Sequence, residues 1–400
     1  MKNRKKWTHT RHKIVMKIVR PFFSFYARVK YHASVERFRQ EGHRNWLIVS
    51  NHQTDFDQFI VGLAFRQPVY YVAMEDVFSN GWISRLIEFL VAPIPILKAA
   101  TDIKAIRTCM QVAKEGGSIA LFPEGNRTYS GKNCFIKPSV ASLAKHLGLP
   151  IAVFHIEGGY GVKPRWADKT RKGPMKAGVV RVIEPEECGK MSKEELYDLL
   201  CGALTVDETA NPHRYESKRP AEHLERALYV CPHCGITKLV TDHDRVTCPT
   251  CGLTLRLDAD GHFTGDTGQA PFPTVAAWYE EQEAFIRSLD LTPYAEKPVF
   301  TDEADLIEVI VYKRKQKLGK RLPVRAYADR LTVGERTMPY TDVMAMACIA
   351  GHKLNVFYDG HVYQLKGDTH FNALKYCNVY YHAKFVEENH EYGEFQFLGL

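Results

Sequence analysis

The chain has no uncharged apolar run of about eighteen residues, so no segment reads as a helix crossing a bilayer. The nearest approach, WISRLIEFLVAPIPIL over 82–97, contains Arg85 and Glu88 and is interrupted by Pro93 and Pro95. A secretory signal is not expected, because basic residues break the N-terminal apolar stretch and no small-residue cleavage site follows. Internal repeats and low-complexity tracts are lacking as well. Acidic residues are missing from the first 35 positions, which hold ten lysines and arginines. The whole chain carries +8, so the other 365 residues are close to neutral and the basic character belongs to the N-terminal arm. Such an arm suits nucleic acid, an anionic membrane or solubility. These features together predict a cytoplasmic protein whose membrane contact is peripheral.

Within the arm, Ile14, Val15, Ile18, Val19, Phe22, Tyr26 and Val29 recur at helical spacing with Lys and Arg between them. A basic helix with an aromatic apolar face fits a membrane interface. A helix docked on the core with a solvated basic face fits the same pattern. Pro21 should kink or split it.

Four hundred residues exceed one core and suggest two or three domains. From 46 to about 185 apolar strand-like runs (WLIVS 46–50, VYYVAM 69–74, SIALF 118–122, IAVFHI 151–156, AGVVRVI 177–183) alternate with helical patterns. The helical stretches lie near 57–66, 82–92, 101–115 and 137–147. This alternation predicts an α/β class with a mostly parallel central sheet flanked by helices. Ligands bind outside the carboxyl ends of strands in such sheets. Two polar stretches stand there: NHQTDFD after the first strand and FPEGNRTYSG after SIALF. The first carries His52 and, five residues on, Asp57; no other histidine of the seventeen has aspartate at that spacing.

Histidine suits a general base because its pKa lies near working pH, and a carboxylate on its other ring nitrogen fixes the tautomer. Asp57 is the expected partner, with Asp55 its rival by proximity. In the second stretch Pro123 and Gly125 force a turn, and Arg127 is placed to meet an anion. His52-x4-Asp57 at one strand end with Phe122-Pro-Glu-Gly-Asn-Arg at another resembles the glycerolipid acyltransferase superfamily, over roughly residues 45–185. The resemblance implies a peripheral membrane O-acyltransferase, with acyl-CoA or acyl carrier protein as donor and a lysophospholipid, most simply lysophosphatidic acid, as acceptor. It implies His52 and Asp57 as catalytic residues. Asn51, Lys98, Glu124, Gly125 and Arg127 would serve acceptor binding, Arg127 gripping phosphate. The family usually places an acidic residue and then arginine after its Ile-Pro-hydrophobic element, where IPILKA (94–99) supplies Leu97 and Lys98, and Asn126 replaces a small residue. These departures leave open a different amphipathic acceptor. A catalytically inactive scaffold with binding modules is the remaining alternative.

Cys231-x2-Cys234 and Cys248-x2-Cys251, thirteen residues apart, match a zinc ribbon over 229–258, with a closed structural Zn site. His233 and His243 are nearby but not needed. The ribbon lacks a dense basic stripe, so a nucleic-acid partner is not expected. The domain reading is a basic helical arm (1–40), an acyltransferase domain (41–210), a linker (211–228), the ribbon, a connecting helix (270–292) and a β-rich domain (300–400). That last region, short strands followed by a helix, resembles a PH-like (pleckstrin-homology-like) domain. The loop YGVKPRWADKTRKGPMK (160–176), basic with one tryptophan, suits a lipid headgroup layer or plain solvent.

Overall fold

A computed structural model describes residues 6–96, 103–210, 213–266, 268–310 and 313–388. The first domain is built on strands β1 (Ala33–Val35), β2 (Leu47–Ser50), β3 (Val69–Met74), β4 (Ile94–Ile96), β5 (Ser118–Leu121), β6 (Ile151–Glu157) and β7 (Met175–Ile183). Its helices are α1 (Thr10–Lys30), α2 (Asp57–Ala64), α3 (Trp82–Val91), α4 (Ile103–Lys114), α5 (Ser139–Leu147), α6 (Gly159–Val162), α7 (Pro185–Lys190) and α8 (Lys193–Leu204). The sheet order is β1-β7-β6-β2-β5-β3-β4, parallel throughout except where β6 meets β7.

Strand β2 at its centre explains why apolar runs were readable there. Ile48 packs on one face with Ile60, Val61 and Ala27, while Leu47 and Val49 pack on the other with Val112, Ala141 and Leu200. Both faces are covered, so every side chain of the strand is apolar or small, as parallel sheets require. The carboxyl ends of the parallel neighbours β2 and β5 emerge side by side. That juxtaposition brings the two polar stretches together.

The arm is part of this domain. Its strand β1 pairs with β7 at the sheet edge, and α1 runs unbroken through Pro21 rather than splitting there. The apolar face of α1 is turned outward, with Ile18, Phe22 and Phe25 each more than 60% exposed. Instead, Phe23 packs against the Phe59 ring and Ala27 is buried. Helix α3 lies alongside and also exposes its apolar residues, Trp82 and Phe89 among them, and Arg11 of α1 donates to the Phe89 carbonyl at 2.8 Å. No helix among the described residues is long and apolar enough to cross a membrane.

The rest of the chain forms small strands β8 (Val230–Cys231), β9 (Gly235–Ile236), β10 (Val240–Asp242), β11 (Arg245–Thr247), β12 (Thr254–Leu257) and β13 (Phe263–Gly265), then α9 (Val275–Arg287). A seven-stranded antiparallel sheet comes next: β14 (Phe300–Glu308), β15 (Gln316–Ala326), β16 (Arg330–Val333), β17 (Arg336–Pro339), β18 (Val343–Ile349), β19 (Lys353–Tyr358) and β20 (His361–Lys366). Helix α10 (Leu374–Glu388) closes it.

Two expectations change. The segment expected as a linker over 211–228 is packed where it is described, from 213 on: Ala221, Leu224, Ala227 and Leu228 are all fully buried. Trp166, a candidate lipid anchor, lies inside the same core, in one cluster with Leu224, the ribbon's Leu255 and the C-terminal Tyr376. Three of the basic residues around it, Lys163, Arg165 and Arg171, are buried too, while Lys169, Lys172 and Lys176 stay exposed. Arg165 is buried, donating to the carbonyls of Arg127 at 2.8 Å and Cys348 at 2.9 Å with its guanidinium over the Tyr129 ring. This loop therefore joins the first domain to the last.

Candidate active site

Asp57 opens α2, and its carboxylate is fully buried. The preceding NHQT turn wraps around it. Oδ2 accepts from Gln53 N at 2.6 Å and Thr54 N at 2.9 Å, and Oδ1 accepts from Thr54 Oγ1 at 2.5 Å. His52 Nδ1 completes the set at 2.8 Å from Oδ2. An ionised carboxylate only accepts, so the imidazole proton sits on Nδ1 and Nε2 keeps its lone pair. The ring stacks on Phe122, with centroids 4.4 Å apart, and about a fifth of the side chain (21%) stays open. Asp55, the rival, is turned away and accepts from Tyr31 Oη at 2.8 Å.

Burial pushes the His52 imidazole below its ordinary pKa. Asp57 works against that shift, while the charges of Arg127 and Arg165 reinforce it. The balance favours a neutral ring near pH 7, the form a base requires.

Glu124 is buried and faces the protein. Oε1 accepts from His52 N at 2.9 Å and Asn133 Nδ2 at 3.2 Å, and Oε2 accepts from Cys134 N at 2.7 Å. It staples the β2 exit loop to the β5 exit loop. Burial raises its pKa to about 7, against these three donors, with the Asp57 charge adding to the rise. Gly125 sits at φ +65°, the left-handed conformation that lets the loop turn back after Pro123. Asn126 is buried beyond it, and its Nδ2 has no partner among the described residues. Arg127 comes next, half-buried, its carbonyl held by Arg165. Its guanidinium has no hydrogen bond or ion pair to any described residue, yet its charge is felt at His52. Such a cation, held beside a base and lacking a carboxylate partner, can receive an anion.

Asn51 does something other than expected. It is buried, donating from Nδ2 to the Ile156 carbonyl and accepting from Ile156 N at Oδ1, both at 2.8 Å. Both ends of its amide are thus engaged by β6, and, buried there, it clips β2 in place instead of facing a substrate. Lys98 lies outside the described residues. Sequence reasoning missed Arg165, whose basic loop reads as solvated. It also missed Gln53, which is buried, donates to Glu208 Oε1 at 2.9 Å and accepts from Tyr160 N at 3.1 Å.

The four cysteines converge independently. Their sulfurs lie within 4.8 Å of one another, with Cys231 and Cys251 3.7 Å apart and Cys234 and Cys248 3.9 Å apart. Tetrahedral thiolates about 2.3 Å from zinc are separated by roughly 3.8 Å, whereas a disulfide would need about 2.05 Å.

Residues 28–157 match the acyltransferase family model. Among curated proteins, the chain is 26% identical over 138 residues to a chloroplastic 1-acyl-sn-glycerol-3-phosphate acyltransferase of Brassica napus, covering 34% of this chain and 38% of that protein. A chloroplastic 1-acyl-sn-glycerol-3-phosphate acyltransferase of Arabidopsis thaliana is 25% identical over 138 residues, covering 34% and 37%. The chain therefore spans less than two fifths of the length of these curated relatives. Among solved structures, the 1-acyl-sn-glycerophosphate acyltransferase PlsC of Thermotoga maritima shares 23% identity at a TM-score of 0.41, over 48% of this chain and 78% of that one. The matched segment runs from the end of α1 through β6, containing both the His52–Asp57 turn and the Glu124–Arg127 loop. Over residues 28–157, about a third of its length, the chain is thus similar to the acyltransferase family.

Proposed function

We propose that the protein transfers a fatty acyl chain from a thioester donor, acyl-CoA or acyl carrier protein, to the free hydroxyl of lysophosphatidic acid, giving phosphatidic acid. The observation that carries this reading is the His52–Asp57 contact of 2.8 Å on a partly open ring, beside an arginine with no carboxylate partner among the described residues. The curated relatives, both 1-acyl-sn-glycerol-3-phosphate acyltransferases, support the acceptor.

In this mechanism Nε2 of His52 takes the proton of the acceptor hydroxyl as its oxygen attacks the thioester carbonyl. The new C–O bond forms, the tetrahedral intermediate collapses with loss of the C–S bond, and the imidazolium returns its proton to the departing thiolate. Asp57 holds the ring and stabilises its charged form between these steps. No acyl-enzyme is needed, since the acceptor hydroxyl stands where a serine would. Arg127 takes the acceptor phosphate by charge-assisted hydrogen bonds.

A thioester-release assay with lysophosphatidic acid checks both roles. His52→Ala should lower the rate by about 10²- to 10⁴-fold. Arg127→Ala should lower kcat/KM by about 10- to 100-fold for lysophosphatidic acid, the worth of a lost charged hydrogen bond, and leave uncharged lyso-lipids nearly unchanged. An unchanged rate in His52→Ala contradicts the base. The departures at Leu97, Lys98 and Asn126 favour, as a second reading, another amphipathic acceptor. Equal wild-type turnover of charged and uncharged lyso-lipids would select it over the phosphate clamp.

We also propose that the outward apolar faces of α1 and α3 rest in an anionic membrane on its cytoplasmic side. Exposed Ile18, Phe22, Phe25, Trp82 and Phe89 form the kind of patch that marks an interaction surface, and Lys13, Lys17, Arg28 and Lys30 stand beside it. The end of α1 reaches the active-site turn through Tyr31 and Asp55. The triple variant Phe22→Ser/Phe25→Ser/Trp82→Ser should stay in the supernatant when wild-type protein sediments with anionic vesicles, its circular dichroism unchanged. Co-sedimentation of the variant at the wild-type level refutes this docking.

Finally, Cys231, Cys234, Cys248 and Cys251 would hold a structural zinc ion, four thiolates closing the site to water. Cobalt in its place should give a thiolate-to-metal charge-transfer band that Cys248→Ser abolishes; a wild-type protein without that band rules the site out.

A further inference from the structure

Away from the acyltransferase site, two histidines and a carboxylate converge where three parts of the chain meet. Glu225 lies in the single turn Leu224–Arg226. Its Oε1 stands 2.7 Å from Nδ1 of His370 and 3.3 Å from Nδ1 of His223. One ligand atom from each of the three residues falls within 4.8 Å of the other two. His223 adopts φ +67°, in the left-handed region that few non-glycine residues occupy.

Behind these groups stands a second layer of partners. Glu225 Oε2 accepts from Thr241 Oγ1, which leaves Oε1 to face the histidines. The other ring nitrogen of His223, Nε2, lies 3.2 Å from Asp168 Oδ2. Asp168 is itself gripped by both terminal nitrogens of Arg226, at 2.6 and 3.2 Å. A carboxylate on the far nitrogen of an imidazole is the usual support for a metal-ligating histidine, because it fixes which nitrogen offers its lone pair. Glu225 and His223 are buried or nearly so, while His370 is about half open, so a hydrated ion has a path in and can keep water as a further ligand.

We propose that His223 Nδ1, Glu225 Oε1 and His370 Nδ1 bind a divalent transition-metal ion of the zinc class. Two imidazoles and one carboxylate favour such an ion over calcium or magnesium, which take oxygen ligands. The site is separate from the four-cysteine cluster and does not depend on it. Its ligands come from the segment before the ribbon and from the turn after β20, and Asp168 comes from the loop that also carries Arg165. An ion there fastens the C-terminal sheet to the loop that holds the Arg127 carbonyl.

Equilibrium dialysis of the full chain against zinc, followed by elemental analysis, tests this. Wild-type protein should bind two ions per chain, one of which is lost in His370→Ala and in Glu225→Gln but retained in Cys248→Ser. His370 is exposed and the glutamine keeps the shape of Glu225, so the two variants check one another, with circular dichroism confirming the fold. With cobalt, the second ion should add visible d–d bands with no thiolate charge transfer. If the ribbon were to bind nothing, wild type would hold one ion, lost in His370→Ala and kept in Cys248→Ser. The proposal is overturned if His370→Ala and Glu225→Gln bind as many ions as wild type, or if every bound ion disappears with Cys248→Ser.

Discussion

The active-site architecture depends on one buried carboxylate. Asp57 gathers two backbone amides, one hydroxyl and one imidazole onto its two oxygens, and that set determines the path of residues 52–57. A buried carboxylate without donors would be costly; here the turn is shaped to supply them. The same interaction that closes the strand-to-helix connection also orients the His52 ring. Glu124 does the equivalent work between the loops, tying His52 N to the segment that carries Arg127. Two acids, neither of them open to solvent, thus position one base and one cation.

The acyltransferase domain is packed against the C-terminal half of the chain. Arg165 bonds the Arg127 carbonyl with one nitrogen and the Cys348 carbonyl with another, so the C-terminal sheet touches the loop expected to bind the acceptor headgroup. Arg226 repeats the pattern a short distance away, donating to the carbonyls of Trp166 and Thr369. One core cluster runs through Tyr129, Trp166, the ribbon and helix α10. The cysteine-bearing strands and the C-terminal sheet therefore act as a continuous support for one side of the domain.

The sequence made parts of this legible for physical reasons. Strands β2, β3, β5 and β6 are covered on both faces or nearly so, and apolar runs mark them to within a residue or two. A connecting helix was expected over 270–292 and α9 spans Val275–Arg287, its start marked by the Thr274 cap. The C-terminal sheet was harder: short strands were expected, but among the described residues seven stand and not all of them are short. Strand β15, QKLGKRLPVRA, exposes much of its first half to solvent and so reads as a charged loop. At the site, the spacing of His52 and Asp57 was readable because one turn of chain joins them. Asn51 and Arg165 were not, because their roles depend on partners 105 and 183 residues away. Trp166 misled for the same reason, its covering surface coming from distant chain.

The most direct test of the central claim, that buried Asp57 sets both the tautomer and the proton affinity of His52, is the pH dependence of kcat/KM for acyl transfer in wild type and Asp57→Asn. Protonated His52 cannot act as a base, so activity falls as pH drops through its pKa. Burial depresses that pKa, which places the wild-type acidic limb below the ordinary imidazole value of 6.5. Removing the carboxylate removes what holds the pKa up, so in Asp57→Asn the limb should move lower still while the maximal rate falls. A wild-type limb at or above the ordinary value, or one that stays in place in Asp57→Asn, would contradict the account.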